Sequence, residues 1–374
     1  MVVKRTAILL SAVVVIVLVV GGEPSLTAED DGIPRTPSGR PDLSGTYDAA
    51  TLTPLERPVE LGEKAFLTLE EARELAEGER AFADRANRQT EADREAPPEG
   101  GAAVVGFEED PDGGNRFGAG NVGGYNWFWV DRGSEAFAID GLFPTSIVTD
   151  PPNGRVPALT PEALAERRER IAWRRPNDGT AWWLEMDGPG PYDGPESLGI
   201  AERCLLGFTG AAPTFPSLYN NFKRIVQTED HVMILIEMVH DARIVRLGSE
   251  HPPADQRSWL GDSIGWWEGD TLVVETTNFR PDSLLRGGSE NTRVVERFTK
   301  QVGGDVLYQF TIEDPTVWTA PWTGEYLWRA SDERVYEYAC HEGNYAMQGI
   351  LRGARLLEAE ARGELTSTAE GEDD

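Results

Sequence analysis

The sequence predicts an α+β protein, mainly antiparallel β, in which irregular and helical N-terminal segments wrap a β-meander barrel or strongly curved sheet. Two observations lead to this prediction. Between residues 199 and 355, short apolar runs of strand length alternate with compact turns such as WEGD, VGGD and SDER, a pattern typical of hairpins. Strand–helix–strand alternation is missing from the sequence pattern, which argues against a parallel, doubly wound sheet.

The first 28 residues are typical of a cleaved signal peptide. Lys4 and Arg5 precede a mostly apolar run over residues 7–20, which is shorter than the roughly 20 residues that a spanning helix needs. The pattern therefore favours a cleaved signal over an uncleaved anchor. We expect a periplasmic or secreted protein with no membrane insertion after cleavage.

Residues 29–198 are predicted to form an extended and helical wrapping region with a few strands. Five prolines between residues 34 and 58 disfavour helix and sheet interiors. Thr68 followed by Glu71 forms a capping box, which predicts the start of a helix. Thr160 followed by Pro161 predicts the start of a second helix, with threonine as the N-cap.

Residues 199–355 are predicted to form the barrel-like domain, and the acidic tail 356–374 is predicted to be disordered. In the predicted strand TRVVERFTK, Arg297 and Glu296 point to opposite faces. In the last predicted strand, RVYEYACHE, His341 and Glu337 share one face and Cys340 lies on the other. Two interpretations stay open: a sheet whose polar face is solvated, or a barrel whose polar interior binds a ligand.

Charge and cysteine content limit the partners and the compartment. The net charge of −29 repels phosphate backbones and anionic surfaces, which argues against nucleic-acid binding. The two cysteines, Cys204 and Cys340, form one disulfide if they meet in an oxidising compartment, and are otherwise two buried free thiols.

The candidate site residues lie in the β-rich half. The catalytic candidates are His240, His341, Glu313 and Glu337, with either histidine as a base and an acid nearby. The ligand-binding candidates are Arg243, Asn278, Arg297, Trp318 and Trp322. Arg297 would steer an anion, whereas the tryptophans are either aromatic platforms beside carboxylates, as in sugar chemistry, or core residues.

No cofactor is predicted. His240, His341 and a carboxylate match the ligand types of a facial-triad metal site. The sequence has neither His-x-His nor His-Glu-x-x-His, so a divalent metal is the weaker interpretation.

Several long motifs resemble a family of secreted bacterial proteins of unassigned function. They are RTPSGRPDLSGTY, HDARIV, WEGDTLVVETTNF and YEYACHEGNY, and the resemblance extends from about Arg35 to Gly353. It implies an exported protein but no particular activity. The β-rich half is similar to a lipocalin-type barrel, by analogy of fold alone.

Two functions are therefore expected as alternatives. The first is binding, and conversion in the enzymatic version, of a small organic ligand in a β-barrel cavity. The second is a structural or protein-interaction role in the cell envelope without catalytic activity. The sequence identifies neither the ligand nor the oligomeric state.

Overall fold

A computed structural model describes residues 32–87, 129–172, 179–281 and 287–364. The predicted signal peptide lies outside these residues, as does the last part of the predicted acidic tail. Within the described ranges, no helix has both the length and the apolar character required to cross a membrane.

A closed, mostly antiparallel barrel of nine strands forms the centre of the molecule, which confirms the predicted fold class. Each strand pairs with the next, the last pairs with the first, and only the β7–β8 pairing is parallel. In barrel order the strands are β1 (Gly45–Asp48), β5 (Phe222–Gln227), β6 (His231–Ile236), β7 (Ala242–Leu247), β8 (Asp262–Glu268), β9 (Thr271–Thr277), β10 (Arg293–Lys300), β11 (Val306–Glu313) and β12 (Trp322–Ser331).

The remaining elements surround the barrel. Strand β4 (Val148–Asp150) adds to β12 beside β1, and β2 (Phe66–Leu67) pairs with β3 (Phe143–Pro144). The helices are α1 (Leu69–Ala86), α2 (Pro161–Ala172) and α3 (Tyr345–Ala361).

Both predicted helix starts are confirmed. The Thr68 side chain accepts from the backbone of Glu71 while the Glu71 carboxylate accepts from the backbone of Thr68, which is the reciprocal capping box. At the second start, Thr160 Oγ1 accepts a hydrogen bond from the backbone N–H of Ala163 at 3.2 Å. Each cap satisfies backbone donors that have no partner inside the helix.

Strict alternation along β10, β11 and β12 determines which face is inside. Every second residue is buried along β10 and β11 and along β12 as far as Trp328, and most of the buried residues are large and apolar. Because side chains alternate with period two, the apolar face fills the barrel and the polar face, including Arg297, is on the outside. The solvated-face interpretation of these strands is therefore correct.

The wrapping region contributes the strand that closes the barrel. Tyr47 of β1 lies opposite Ala330 of β12 on one side and Lys223 of β5 on the other. Tyr47 is buried, and its hydroxyl donates to the carbonyl of Leu43 at 2.6 Å. Residues far from the β-rich half in sequence thus complete its hydrogen bonding.

The predicted last strand over residues 334–342 is wrong. Residues 332–339 are irregular, and helix α3 begins soon after them, with Asn344 as its N-cap. The physical reason is that β12 already pairs with β11 on one side and with β4 and β1 on the other. No edge of β12 is left for a further strand.

The beginning of the predicted disordered tail is also wrong. Helix α3 continues past residue 356 to Ala361. Glu358 in its last turns is buried, and its carboxylate accepts from the indole N–H of Trp183 at 2.8 Å. Arg355 also donates to this carboxylate at 2.6 Å, so the acid is paired and holds the helix in place.

Candidate functional site

Aromatic rings fill most of the barrel interior. Tyr308 stacks on Trp328 with ring centroids 4.7 Å apart, and Phe298 packs edge-on against Trp328 at 5.5 Å. These rings come from neighbouring strands, since Tyr308 lies opposite both Phe298 and Tyr326 in the sheet register. The interior is a packed core into which a few polar groups are inserted.

A buried ion pair crosses this core. Arg243 donates to both carboxylate oxygens of Glu296, at 2.5 and 2.8 Å, and both side chains are almost fully buried. The hydroxyl of Tyr308 donates to the same carboxylate at 2.6 Å. Burial alone would lower the pKa of Arg243, but the charge and hydrogen bonds of Glu296 outweigh it and raise that pKa.

The segment of residues 207–215, here called the plug segment, covers one end of the barrel. At this end β5, β7, β8, β10 and β12 begin. The backbone N–H of Thr214 donates to the Tyr308 hydroxyl at 3.1 Å, and the Tyr326 hydroxyl donates to the Thr214 carbonyl at 2.9 Å. Phe215 stacks on Trp322, the first residue of β12, at 6.3 Å.

A strained turn between β6 and β7 holds the plug segment. Val239 and His240 have φ values of 57° and 47°, a left-handed conformation that is unfavourable for a β-branched residue. The next residue, Asp241, accepts from the backbone N–H of Gly207 at 2.7 Å. A Cβ atom at Gly210 would lie 2.2 Å from the Asp241 carboxylate, so only glycine fits there.

Burial shifts the protonation of Asp241. It raises the pKa of this carboxyl to about 6, although the Gly207 N–H and the charge of His240 act in the opposite direction. The carboxyl therefore titrates close to neutral pH while it holds the plug segment.

Several buried polar atoms of the interior have no hydrogen-bond partner in the part of the chain that the structure describes. Four of these atoms are N–H donors and one is a hydroxyl oxygen. They are Lys223 Nζ, Arg243 Nε, Trp322 Nε1, Trp328 Nε1 and Thr214 Oγ1. Buried polar groups in native proteins are nearly always satisfied, so these atoms mark positions where a buried water or a bound molecule would complete the hydrogen bonding.

Lys223 is the most unusual of these residues. It is completely buried and points inward from β5, opposite Tyr47 and Ile236. The pKa of Lys223 is lowered to about 8, mainly by burial and to a smaller extent by the positive charge of Arg243. The negative charges of Glu237 and Asp48 act in the opposite direction. Burial also raises the carboxyl pKa of both Glu237 and Asp48.

The structure brings several of the predicted site residues to the plug end of the barrel. Arg243 lies in the interior ion pair, and Trp318 and Trp322 are core residues with ring centroids 5.8 Å apart. Asn278 follows β9, and its side-chain amide donates to the carbonyls of two prolines. His240 is in the strained turn, with its side chain exposed.

The other predicted residues lie away from the interior. Glu313 pairs with Arg293 at 3.0 Å on the outer face, and Arg297 pairs with Glu268 at 2.8 Å. Glu337 and His341 are exposed in the irregular stretch before α3. The structure therefore does not bring His341, Glu337 and Arg297 together around one ligand.

Of the two alternatives left open for Cys204 and Cys340, a disulfide or two free thiols, the structure shows the disulfide. It links the chain just before the plug segment to the chain just before α3. The amide of Asn344, the N-cap of α3, also donates to the carbonyl of Glu202 at 2.8 Å. The C-terminal helix is thus fixed to the segment that closes the barrel.

An ion network on the outer face contains His251, which is not among the candidate site residues. His251 Nδ1 lies 2.6 Å from Asp262, and its Nε2 lies 3.2 Å from Glu275. Arg246 donates to Asp262, and Arg293 donates to Glu275. This network fixes the chain segment that connects the two parallel strands. Among the described residues, no group of three or more potential ligands has the geometry of a metal site.

Sequence reasoning omitted Lys223, Glu296 and Tyr308. A signal was present for two of them, because Glu296 falls between Val294 and Phe298 on the apolar face of its strand, and Lys223 alternates with apolar Ile225. A charge on an apolar face must find a buried partner or a ligand.

The fold and the interior define a closed, mainly antiparallel β-barrel protein with a polar site inside an aromatic core. Comparison with protein families, curated proteins and solved structures found no match.

Proposed function

We propose that the protein binds a small organic ligand with a hydrogen-bond acceptor, such as a carboxylate, inside its barrel. The observation that supports this most directly is the Lys223 ammonium, which is fully buried and has no partner among the described residues. An unpaired buried charge costs several kcal/mol. A ligand carboxylate beside Nζ would remove most of that cost.

The charge balance inside the barrel favours an anion. Along the nine strands, the inward-facing charged side chains are Lys223, Arg243, Lys300 and Glu296, so three cations less one anion leave +2. The protein as a whole carries −29. Two acidic side chains influence Lys223 from nearby, but neither hydrogen-bonds to its Nζ.

The two positive groups with free donors are near one another. Both terminal nitrogens of Arg243 donate to Glu296, and its Nε has no hydrogen-bond partner among the residues that the structure describes. The charge of Arg243 is also close enough to lower the pKa of Lys223. A carboxylate bound by both groups would meet two donors, and charge-assisted hydrogen bonds are about twice as strong as neutral ones.

The plug segment is the natural entrance. Its hydrogen bonds to the barrel wall run through the backbone of Thr214 and through Asp241. Displacing these contacts would open the end of the barrel at which Lys223 and Arg243 lie. Binding would then be followed by closure, as in other proteins with a mobile covering segment.

Thermal unfolding with propionate and with its neutral amide, propionamide, tests the proposal at constant ionic strength. A ligand at 100 times its Kd stabilises by about 2.7 kcal/mol, so propionate should raise Tm by several degrees and propionamide should not. In the Lys223→Met variant the propionate effect should disappear. The matched control, Lys64→Met, removes a surface lysine and should keep it. Equal stabilisation of the wild-type protein and Lys223→Met would overturn the proposal.

A role in protein interaction is the second candidate, supported by exposed aromatic groups. Tyr336 and Tyr345 are 71% and 79% exposed on either side of the disulfide-bonded Cys340. Exposed aromatic groups are enriched at interfaces. In sedimentation experiments over a range of concentrations, self-association that Tyr345→Ser abolishes would support this candidate, and a monomer throughout would count against a second copy as the partner.

A further inference from the structure

We infer that Lys223 is an amine nucleophile that condenses with the carbonyl group of a small oxo acid inside the barrel. The inference deepens the proposed function and rests on it, because the oxo acid must reach the same interior. It adds a covalent step to binding and assigns that step to one atom, Lys223 Nζ.

The surroundings of Lys223 are those of a nucleophilic lysine. Its side chain is fully buried opposite Tyr47 and Ile236, and Nζ makes no hydrogen bond within the described part of the chain, so a neutral amine there keeps its lone pair available. Desolvation of this kind is one of the established ways to activate a lysine toward carbonyl compounds. With a pKa of about 8, roughly one Lys223 in ten is neutral at pH 7, against roughly one in three thousand for an ordinary lysine.

The other described lysines are placed differently. Lys300 also faces inward, but its Nζ donates to the Tyr47 hydroxyl at 2.8 Å near the opposite end of the barrel. Lys64 lies on the surface and pairs with Glu71. The chain has only one more lysine, Lys4, so covalent labelling can be assigned without ambiguity.

Glu237 is the nearby group that can transfer protons. Its carboxylate accepts from the backbone N–H of Phe222, the residue before Lys223, at 3.2 Å. Burial raises the pKa of Glu237, with the charge of Lys223 among the opposing effects. A carboxyl group of raised pKa close to Lys223 can take up the proton of the ammonium and return it during the reaction, as general acid catalysis requires.

The reaction balances without an oxidant or a reductant. The lone pair of Nζ attacks the carbonyl carbon, the π electrons move to oxygen, and a proton passes from nitrogen to that oxygen to give a carbinolamine. Glu237 then protonates the hydroxyl group, which leaves as water while the nitrogen lone pair forms the C=N bond. A protonated imine and a carboxylate at Glu237 remain.

Arg243 is the reason for proposing an oxo acid as the substrate and not a simple ketone, because it can bind a carboxylate. Its Nε, which has no partner within the described ranges, is a donor with a fixed position, because both terminal nitrogens are already bound to Glu296. It would hold the carboxylate while Lys223 reacts with the adjacent carbonyl. Positioning of this kind accounts for much of the rate of bimolecular reactions in enzymes.

Reductive trapping tests the inference on the full protein. Pyruvate is added with cyanoborohydride, which reduces an imine to a stable amine, and peptide mass spectrometry locates the adduct. Among the lysine side chains we expect one adduct, at Lys223, with at least tenfold less labelling of Lys64; the α-amino group, whose ordinary pKa is about 8, also reacts and is scored separately on its own peptide. The Lys300→Arg variant should be labelled like the wild-type protein, and Lys223→Arg should lose the adduct.

Methyl pyruvate, which has the same ketone but a neutral ester in place of the carboxylate, should give a Lys223-to-Lys64 labelling ratio at least fivefold lower than that of pyruvate. Equal labelling of Lys64 and Lys223 in the wild-type protein would overturn the inference, and this comparison needs no variant to fold. If propionate raises Tm but pyruvate leaves no adduct on Lys223, the imine is refuted and the proposed function stands. If neither acid raises Tm nor leaves an adduct, both fail.

Discussion

Replacing Asp241 with asparagine removes the titrating group that joins the strained turn to the plug segment. Asparagine has the same shape, and its carbonyl oxygen can still accept the hydrogen bond from the backbone N–H of Gly207, which is 2.7 Å long in the structure. The substitution therefore changes the charge of the group above its pKa and leaves the packing of the turn largely intact.

The size and sign of the effect follow from the pKa. Burial raises the pKa of Asp241 from 3.8 to about 6 in the folded protein. The stability that this carboxyl contributes is thus fully present below about pH 4 and is lost as the pH rises through about 6. The interval from 3.8 to about 6 corresponds to about 3 kcal/mol, at 1.36 kcal/mol per pH unit. In the asparagine variant this side chain does not titrate, so its contribution to the unfolding free energy does not change over this range.

Urea unfolding followed by tryptophan fluorescence at several pH values between 4 and 7.5 measures the difference. Between pH 4 and pH 7.5 the wild-type protein should lose about 3 kcal/mol of unfolding free energy that Asp241→Asn keeps. The difference in unfolding free energy between the two proteins should therefore change by about 3 kcal/mol across this range, in favour of the variant. Asp332→Asn, a substitution at an exposed position, is the control and should follow the wild-type curve. If Asp241→Asn also runs parallel to the wild-type curve, the burial argument is wrong.

Three further changes test the core. Glu296→Gln should cost about 3–5 kcal/mol in urea unfolding, because Arg243 keeps a buried charge without its partner; a loss below about 1 kcal/mol would contradict this. Gly324→Ala places a Cβ 2.4 Å from the Phe310 ring and should cost about 1–3 kcal/mol by overpacking, so an unchanged Tm would refute it. Reduction of the disulfide at Cys340, which closes a separation of 136 residues, should lower stability by up to about 5 kcal/mol, measured with and without reductant.

The hairpins of the barrel could be predicted because their cause is local. Alternating side chains in β10 and β11 are visible within eight residues each, and the intervening glycines Gly303 and Gly304 adopt the positive φ values that the turn needs. The closing strand could not be predicted in this way. Gly45–Asp48 is four residues long, and its partners are about 180 and 280 residues away in sequence.

The failure at residues 334–342 has a different origin. Tyr336 and Tyr338 alternate as in a strand, and aromatic residues favour strands. A strand also needs a free edge to pair with, and both sides of β12 are occupied. Whether an edge is free depends on the whole topology, so the local pattern was misleading there.

The site residues were hard to predict because alternation separates two faces without showing which of them is inside. His341 and Arg297 share the polar character expected of a ligand cavity, yet both lie outside the barrel. The more informative sign is a charge on the apolar face, since burying it is costly. The charge of Glu296 is compensated, because its carboxylate accepts hydrogen bonds from Arg243 and Tyr308. Lys223 bears the same cost with no hydrogen-bond partner among the described residues, which is why the search for a ligand should start at its Nζ.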